Sequence, residues 1–186
     1  MKTFSNETAW HWADLLGYNA EGTLQLAIEL KPRRVQSGAM GMARHWLQEV
    51  GQQRPELYAL FITSEYMLLR LPASRRLPEP YFAGVRGVVQ MQLRERLLGE
   101  VDYAVDTTKS LDMAIDTQRV PLQKLDTVGL QRVVESWLDS CLFMPDTKLT
   151  ELPAQAWLVE SGLHHALRNG RILPPVGGPS AYAFAD

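Results

Sequence analysis

Residues 24–31, LQLAIELK, constrain the fold of this chain more than any other stretch. Leu24, Leu26, Ile28 and Leu30 alternate with Gln25, Ala27, Glu29 and Lys31, a period of two that suits a half-buried strand and not a helix. Upstream, WHWADLLGYN reads as a partner strand, and AEGT as the turn between them, with Gly22 supplying the residue that tolerates positive φ. A loop centred on Glu21 and Gly22 sets Asp14 across from Glu29. Opposed residues of an antiparallel pair share a face, with Cβ atoms roughly 5 Å apart. Two carboxylates and the Lys31 ammonium would therefore converge on one side of the sheet. A three-residue loop would shift the register by one and undo that convergence.

The remaining pattern alternates helices and strands. AMGMARHWLQEVGQQ (39–53) reads as a helix with Met42, Trp46, Leu47 and Val50 on one face, and LYALFITSEYMLLRLP (57–72) as two strands around a turn near TSE. ASRRLPEPYFAG (73–84) reads as a loop and VRGVVQMQLRERLLGEV (85–101) as a helix. LDTVGLQRVVESWLDSCLF (125–143) is the clearest amphipathic helix, with Leu130, Val133, Val134, Trp137, Leu138 and Cys141 on its apolar face. AQAWLVESGLHHALRNG (154–170) is a further helix, followed by an extended Pro- and Gly-bearing tail. The expectation is an α/β chain divided into a core over 1–146 and a C-terminal helix and tail, 147–186, packing on it.

At 186 residues the chain is long enough for one sizeable core. A single cysteine, Cys141, rules out an intrachain disulfide and suits a reducing, cytoplasmic setting, and no apolar run approaches the roughly 18 residues of a membrane span. The formal net charge of −2 provides no global footprint for nucleic acid, so such a role would rest on local clusters, KPRR (31–34) or RLPASRR (70–76).

A carboxylate pair suits a hard divalent cation, and a neighbouring lysine can stabilise charge developing on a phosphate. An acid in one strand, E-x-K in the next, then a helix and another strand resembles the PD-(D/E)xK nuclease superfamily, with Asp14 matching the first acid and Glu29-Leu30-Lys31 the ExK element. EGTLQLAIELK, the helix with Arg44, LYALFIT, VESWLDSCL and WLVESGLHHALRNGRI are similar to a group of bacterial, in particular cyanobacterial, proteins that carry this core. The resemblance implies a restriction-endonuclease-like mixed sheet flanked by helices. It further implies a Mg²⁺- or Mn²⁺-dependent DNA endonuclease with Asp14, Glu29 and the Leu30 backbone carbonyl as metal ligands and Lys31 beside the attacking water. The sequence departs from the pattern in two places: Ala13 stands where a proline usually precedes the first acid, and the residues before Trp10 leave little room for a preceding helix, Glu7 being their only acid. A catalytically inactive nuclease-fold protein, binding a protein partner or a second copy through the tail, is the alternative.

Around this centre, Arg33, Arg34, Arg44 and Gln48 are candidate contacts to nucleic acid, and Trp10, Trp12 and Tyr18 could stack bases. Asp102, Asp106, Asp112 and Asp116 lack the spacing and glycine of an EF-hand loop and read as solvated acids. His164 and His165, with Glu160 one turn earlier, lack a third metal ligand.

Overall fold

A computed structural model describes residues 13–32, 38–85, 87–97, 99–115 and 121–175. The hairpin consists of β1 (Leu15–Tyr18) and β2 (Leu24–Lys31). Helix α1 (Gly38–Gln53) follows, then β3 (Tyr58–Thr63), β4 (Tyr66–Arg70) and β5 (Tyr81–Ala83). Next come α2 (Gly87–Leu97), β6 (Tyr103–Asp106), α3 (Thr107–Ile115) and α4 (Thr127–Leu142). The chain continues through α5 (Asp146–Thr150), α6 (Ala156–Glu160), α7 (Leu163–Leu167) and β7 (Arg171–Leu173). The seven strands form one mixed sheet in the order β5-β6-β4-β3-β2-β1-β7.

The alternation in β2 divides the core in two. Leu26, Ile28 and Leu30 join Leu15, Leu60 and Ile62 beneath α4 and α7, whereas Ala27 joins Leu16, Ala59 and Phe61 beneath α1 and α2. The result is a helix–sheet–helix sandwich. Helix α1 covers its face with Ala39, Met40, Ala43, Trp46, Leu47 and Val50, a helical spacing in which Trp46 meets Phe61 at a ring-centroid distance of 6.1 Å. Burying a side chain such as Phe61 contributes roughly 1.5–3 kcal/mol. On the opposite layer, α4 begins at Asp126, whose Oδ1 accepts from Gly129 N at 2.7 Å, an N-cap worth about 1 kcal/mol.

Several expectations need revising. The helix read over 154–170 is two short ones, because Gly162 adopts φ 78° between them, outside the helical region. Part of the loop read over 73–84 is the edge strand β5, and the tail contributes β7, which pairs with β1 through Leu16–Leu173 and Gly17–Ile172. Three-residue strands carry too little alternation to register as a pattern.

The turn is a three-residue loop after all. Asn19 N donates to Thr23 O, Gly22 N to Asn19 O, and Gly22 sits at φ 79°, the type I turn plus left-handed residue common to such hairpins. Its register shift is cancelled one step later. Tyr18 opposes Leu24 but Gly17 opposes Leu26, so Gln25 is an unpaired bulge. Beyond it Leu16 opposes Ala27 and Leu15 opposes Ile28, while Asp14, just before the strand, donates its own N–H to Ile28 O and so falls against Ile28 and not opposite Glu29.

Candidate active site at the carboxyl edge of the sheet

Strands β2 and β3 run parallel, β4 is antiparallel to β3 and to β6, and β5 is parallel to β6. The carboxyl ends of β2, β3, β5 and β6 therefore share one edge, the usual place for ligands in open α/β sheets. Asp14 enters β1 at that edge.

There Asp14, Glu29 and Lys31 meet. Asp14 N donates to Ile28 O at 2.8 Å, and Leu30 N donates to the Asp14 Oδ2 at 2.7 Å. The Asp14 side chain thus takes over a ladder position that backbone would otherwise fill, which fixes its orientation. Glu29 Oε1 forms an ion pair with Lys31 Nζ. The Glu29 side chain is 14 % exposed and that of Lys31 28 %, so the group is half sheltered but reachable.

Electrostatics set Glu29 apart. Burial pushes its pKa up, the Lys31 hydrogen bond and charge pull it down, and the Asp14 carboxylate, close enough to hydrogen-bond to it, pushes it up again; the result is about 7. One ammonium does not fully answer two carboxylates. The pair consequently fits a divalent cation, which would relieve the same repulsion. The backbone adds a third oxygen: Ile28 O and Leu30 N both face β1, and N–H and C=O of one strand residue point the same way, so the Leu30 carbonyl faces the Asp14 side. Among the described residues no group of three or more His, Cys, Asp or Glu side chains assembles to hold a metal, so any cation here would rely on these two carboxylates, the carbonyl and water.

Other candidates lie elsewhere. Gln48 Nε2 donates to Glu100 Oε1 at 2.9 Å, and the other Glu100 oxygen accepts from Arg70 Nη1. Arg44 is exposed on α1 beside the sheet-facing Ala43. Tyr18 packs its ring against the Arg171 guanidinium at 5.9 Å. Arg33, Arg34, Trp10, Trp12, Glu7 and Asp116, and the tail from 176 onward, fall outside the described residues.

Two expectations about charge are overturned. The cluster at 70–76 is no free basic patch: Arg70 pairs with Glu100, Arg76 Nε donates to Asp102 Oδ2 at 2.7 Å, and Arg75 Nη1 donates to the Tyr58 hydroxyl at 2.7 Å. Asp102 is not solvated but fully buried, accepting also from Leu71 N and Leu77 N. Asp106 caps α3 through Lys109 N at 3.2 Å, and Asp112 is exposed. His164 is buried, its Nε2 3.1 Å from Cys141 O, and its Nδ1 lies 2.7 Å from Asp146 Oδ1 without the geometry of a hydrogen bond.

One feature of the edge escaped the sequence reading. Thr63 pairs with Lys31 in the parallel register, and the next residue, Ser64, is buried with no hydrogen-bond partner for its hydroxyl. Only the expectation that LYALFIT follows the ExK strand across a helix could have pointed there. Compared with protein-family models, with curated proteins and with solved structures, the chain matches none.

Proposed function

We propose that the chain is a Mg²⁺- or Mn²⁺-dependent DNA endonuclease of the PD-(D/E)xK type, hydrolysing phosphodiesters at Asp14, Glu29 and Lys31. The observation that carries the reading is the convergence of two mutually repelling carboxylates beside a lysine at the carboxyl edge of the sheet. Asp14, Glu29 and the Leu30 carbonyl would hold the cation, which when bound neutralises phosphate charge and acidifies water.

The chain's own groups divide the remaining work. The Leu30 N–H orients the Asp14 carboxylate, so its second oxygen is left to face a ligand. Lys31, positioned by Glu29, supplies a cation for charge developing on a phosphate oxygen. Glu29, titrating near 7 in the metal-free chain, can take up or release a proton at neutral pH. Cation and proton then compete for one carboxylate, so metal affinity should rise with pH through about 7.

Plasmid nicking with Mg²⁺ or Mn²⁺ tests the reading, together with calorimetric titration of Mn²⁺ into wild type and Glu29→Gln. Metal-dependent nicking lost with Glu29→Gln supports it; nicking that survives the substitution refutes the assignment. A second reading, an inactive scaffold that binds a protein partner, draws on the exposed Met42, Val88 and Met91 of α1 and α2. Absence of metal binding together with a dimer on sizing would favour that reading.

A further inference from the structure

A second polar groove lies at the other end of the sheet. Residues 71–80 link β4 to β5 around Asp102, which accepts from Leu71 N at 2.7 Å, Leu77 N at 2.9 Å and Arg76 Nε at 2.7 Å. One buried carboxylate thereby fixes the course of the loop. Arg76 is tied a second time, through Nη2 to Gly99 O at 2.8 Å. Facing the same groove, Arg94 of α2 lays its guanidinium over the Phe82 ring, 4.8 Å from the centroid. Among the described residues no carboxylate forms an ion pair with Arg94. The groove measures about 590 Å³, and Leu77, Pro78, Pro80 and Val101 supply its apolar wall.

We propose that this groove binds a small organic phosphate, its phosphate bridging Arg76 and Arg94 and its apolar body lying against Leu77, Pro78 and Pro80. Both guanidinium groups are held before any ligand arrives, one by Asp102 and Gly99, the other by an aromatic face, so little side-chain entropy remains to be lost on binding. Neither anchor uses all the donors: Asp102 and Gly99 engage Nε and Nη2 of Arg76, and stacking leaves the edge of Arg94 open. A carboxylate matches one guanidinium fork, whereas a phosphate has oxygens enough for two. The volume lies inside the roughly 300–1,000 Å³ of small-molecule sites and exceeds what a bare phosphate fills, which calls for a ligand with a body. Among the described residues that line the groove Glu79, exposed on the rim, is the one carboxylate, and Asp102 behind them already serves Arg76.

Phenyl phosphate titrated into the full chain, followed by calorimetry, tests the site, with inorganic phosphate and phenylacetate as comparison probes. Binding should be strongest for phenyl phosphate, weaken about tenfold or more in Arg94→Gln, and tighten a few-fold in Glu79→Gln. Arg94 is exposed, so its replacement leaves the fold intact. Unchanged binding in Glu29→Gln separates this groove from the hairpin site, and the outcome is independent of the nuclease reading. Failure of phenyl phosphate to bind at millimolar concentration, equal affinity in wild type and Arg94→Gln, or phenylacetate binding as tightly would each overturn the proposal.

Discussion

Two sets of carboxylates sit at opposite ends of one sheet and have been treated differently by the chain around them. Asp102 is fully buried, yet two backbone N–H groups and a guanidinium meet its oxygens, and the loop that it organises depends on it. Asp14 and Glu29 share one backbone N–H and one ammonium between two charges, and burial together with the Asp14 carboxylate lifts the Glu29 pKa to about 7. A carboxylate whose needs are met by its own chain is architecture. One left short by its chain has capacity for something that arrives from solution.

Substitutions can break that comparison. The largest effect expected is on chemistry: Glu29→Gln should lower metal-dependent phosphodiester cleavage on the order of 10³-fold, about 4 kcal/mol of transition-state stabilisation. Asp102→Asn, assayed per folded molecule, should leave the rate unchanged; equal losses in both variants would erase the distinction. Next in size is stability. Asp102→Ala strands Arg76 and two N–H groups, and should cost about 3–5 kcal/mol in urea denaturation. A loss under about 1 kcal/mol would mean that water replaces the carboxylate and that Asp102 organises nothing.

The contrast also explains what could be read in advance. The hairpin site was legible because its parts are local: alternation in residues 24–31 assigns Glu29 and Lys31 to one face, and a short turn brings Asp14 across. Even so, the meeting rests on details that the turn alone does not contain: the three-residue loop is offset by the bulge at Gln25, and Asp14, its N–H bonded to Ile28 O, reaches the group through a side chain held by Leu30 N and not by standing opposite Glu29. The other end was not legible. Arg76 finds Asp102 across 26 positions, and Arg70 finds Glu100 across 30, so composition over 70–76 suggested a basic patch where the fold has spent most of the charge. Helices α1 and α4 are long enough to announce themselves, whereas β5 and β7 are strands only because β6 and β1 lie beside them.

A third effect depends on pH. Glu29 has a folded pKa of about 7 against an ordinary 4.5, so the folded state prefers its neutral form. Below pH 4.5 the carboxyl is protonated in both states and its favourable contribution is complete; as pH rises through about 7 that contribution is lost. Glu29→Gln imitates the neutral form at every pH. Its stability relative to wild type should be near equal at pH 4 and greater by up to about 3 kcal/mol at pH 8. Urea titrations at the two pH values measure the difference, and a gap independent of pH would show that Glu29 is not strained by ionisation.

The smallest effect separates the neighbours of Glu29 from its burial. Asp14→Asn keeps an oxygen for the Leu30 N–H but removes the charge that raises Glu29, so the Glu29 midpoint should fall while staying above its ordinary value, because burial persists. Lys31→Met removes a hydrogen bond and a charge that lower the same midpoint, and should raise it. Carbon-detected NMR of the Glu29 carboxyl reads both shifts in the metal-free chain. Opposite displacements would establish that the three side chains titrate as one coupled group, which a shared cation requires; displacements of the same sign, or none, would reduce Glu29 to a carboxyl raised by burial alone. Adding Mg²⁺ to wild type should then depress the midpoint further than Asp14→Asn does, since a bound cation opposes both causes of the upward shift while the substitution removes only one.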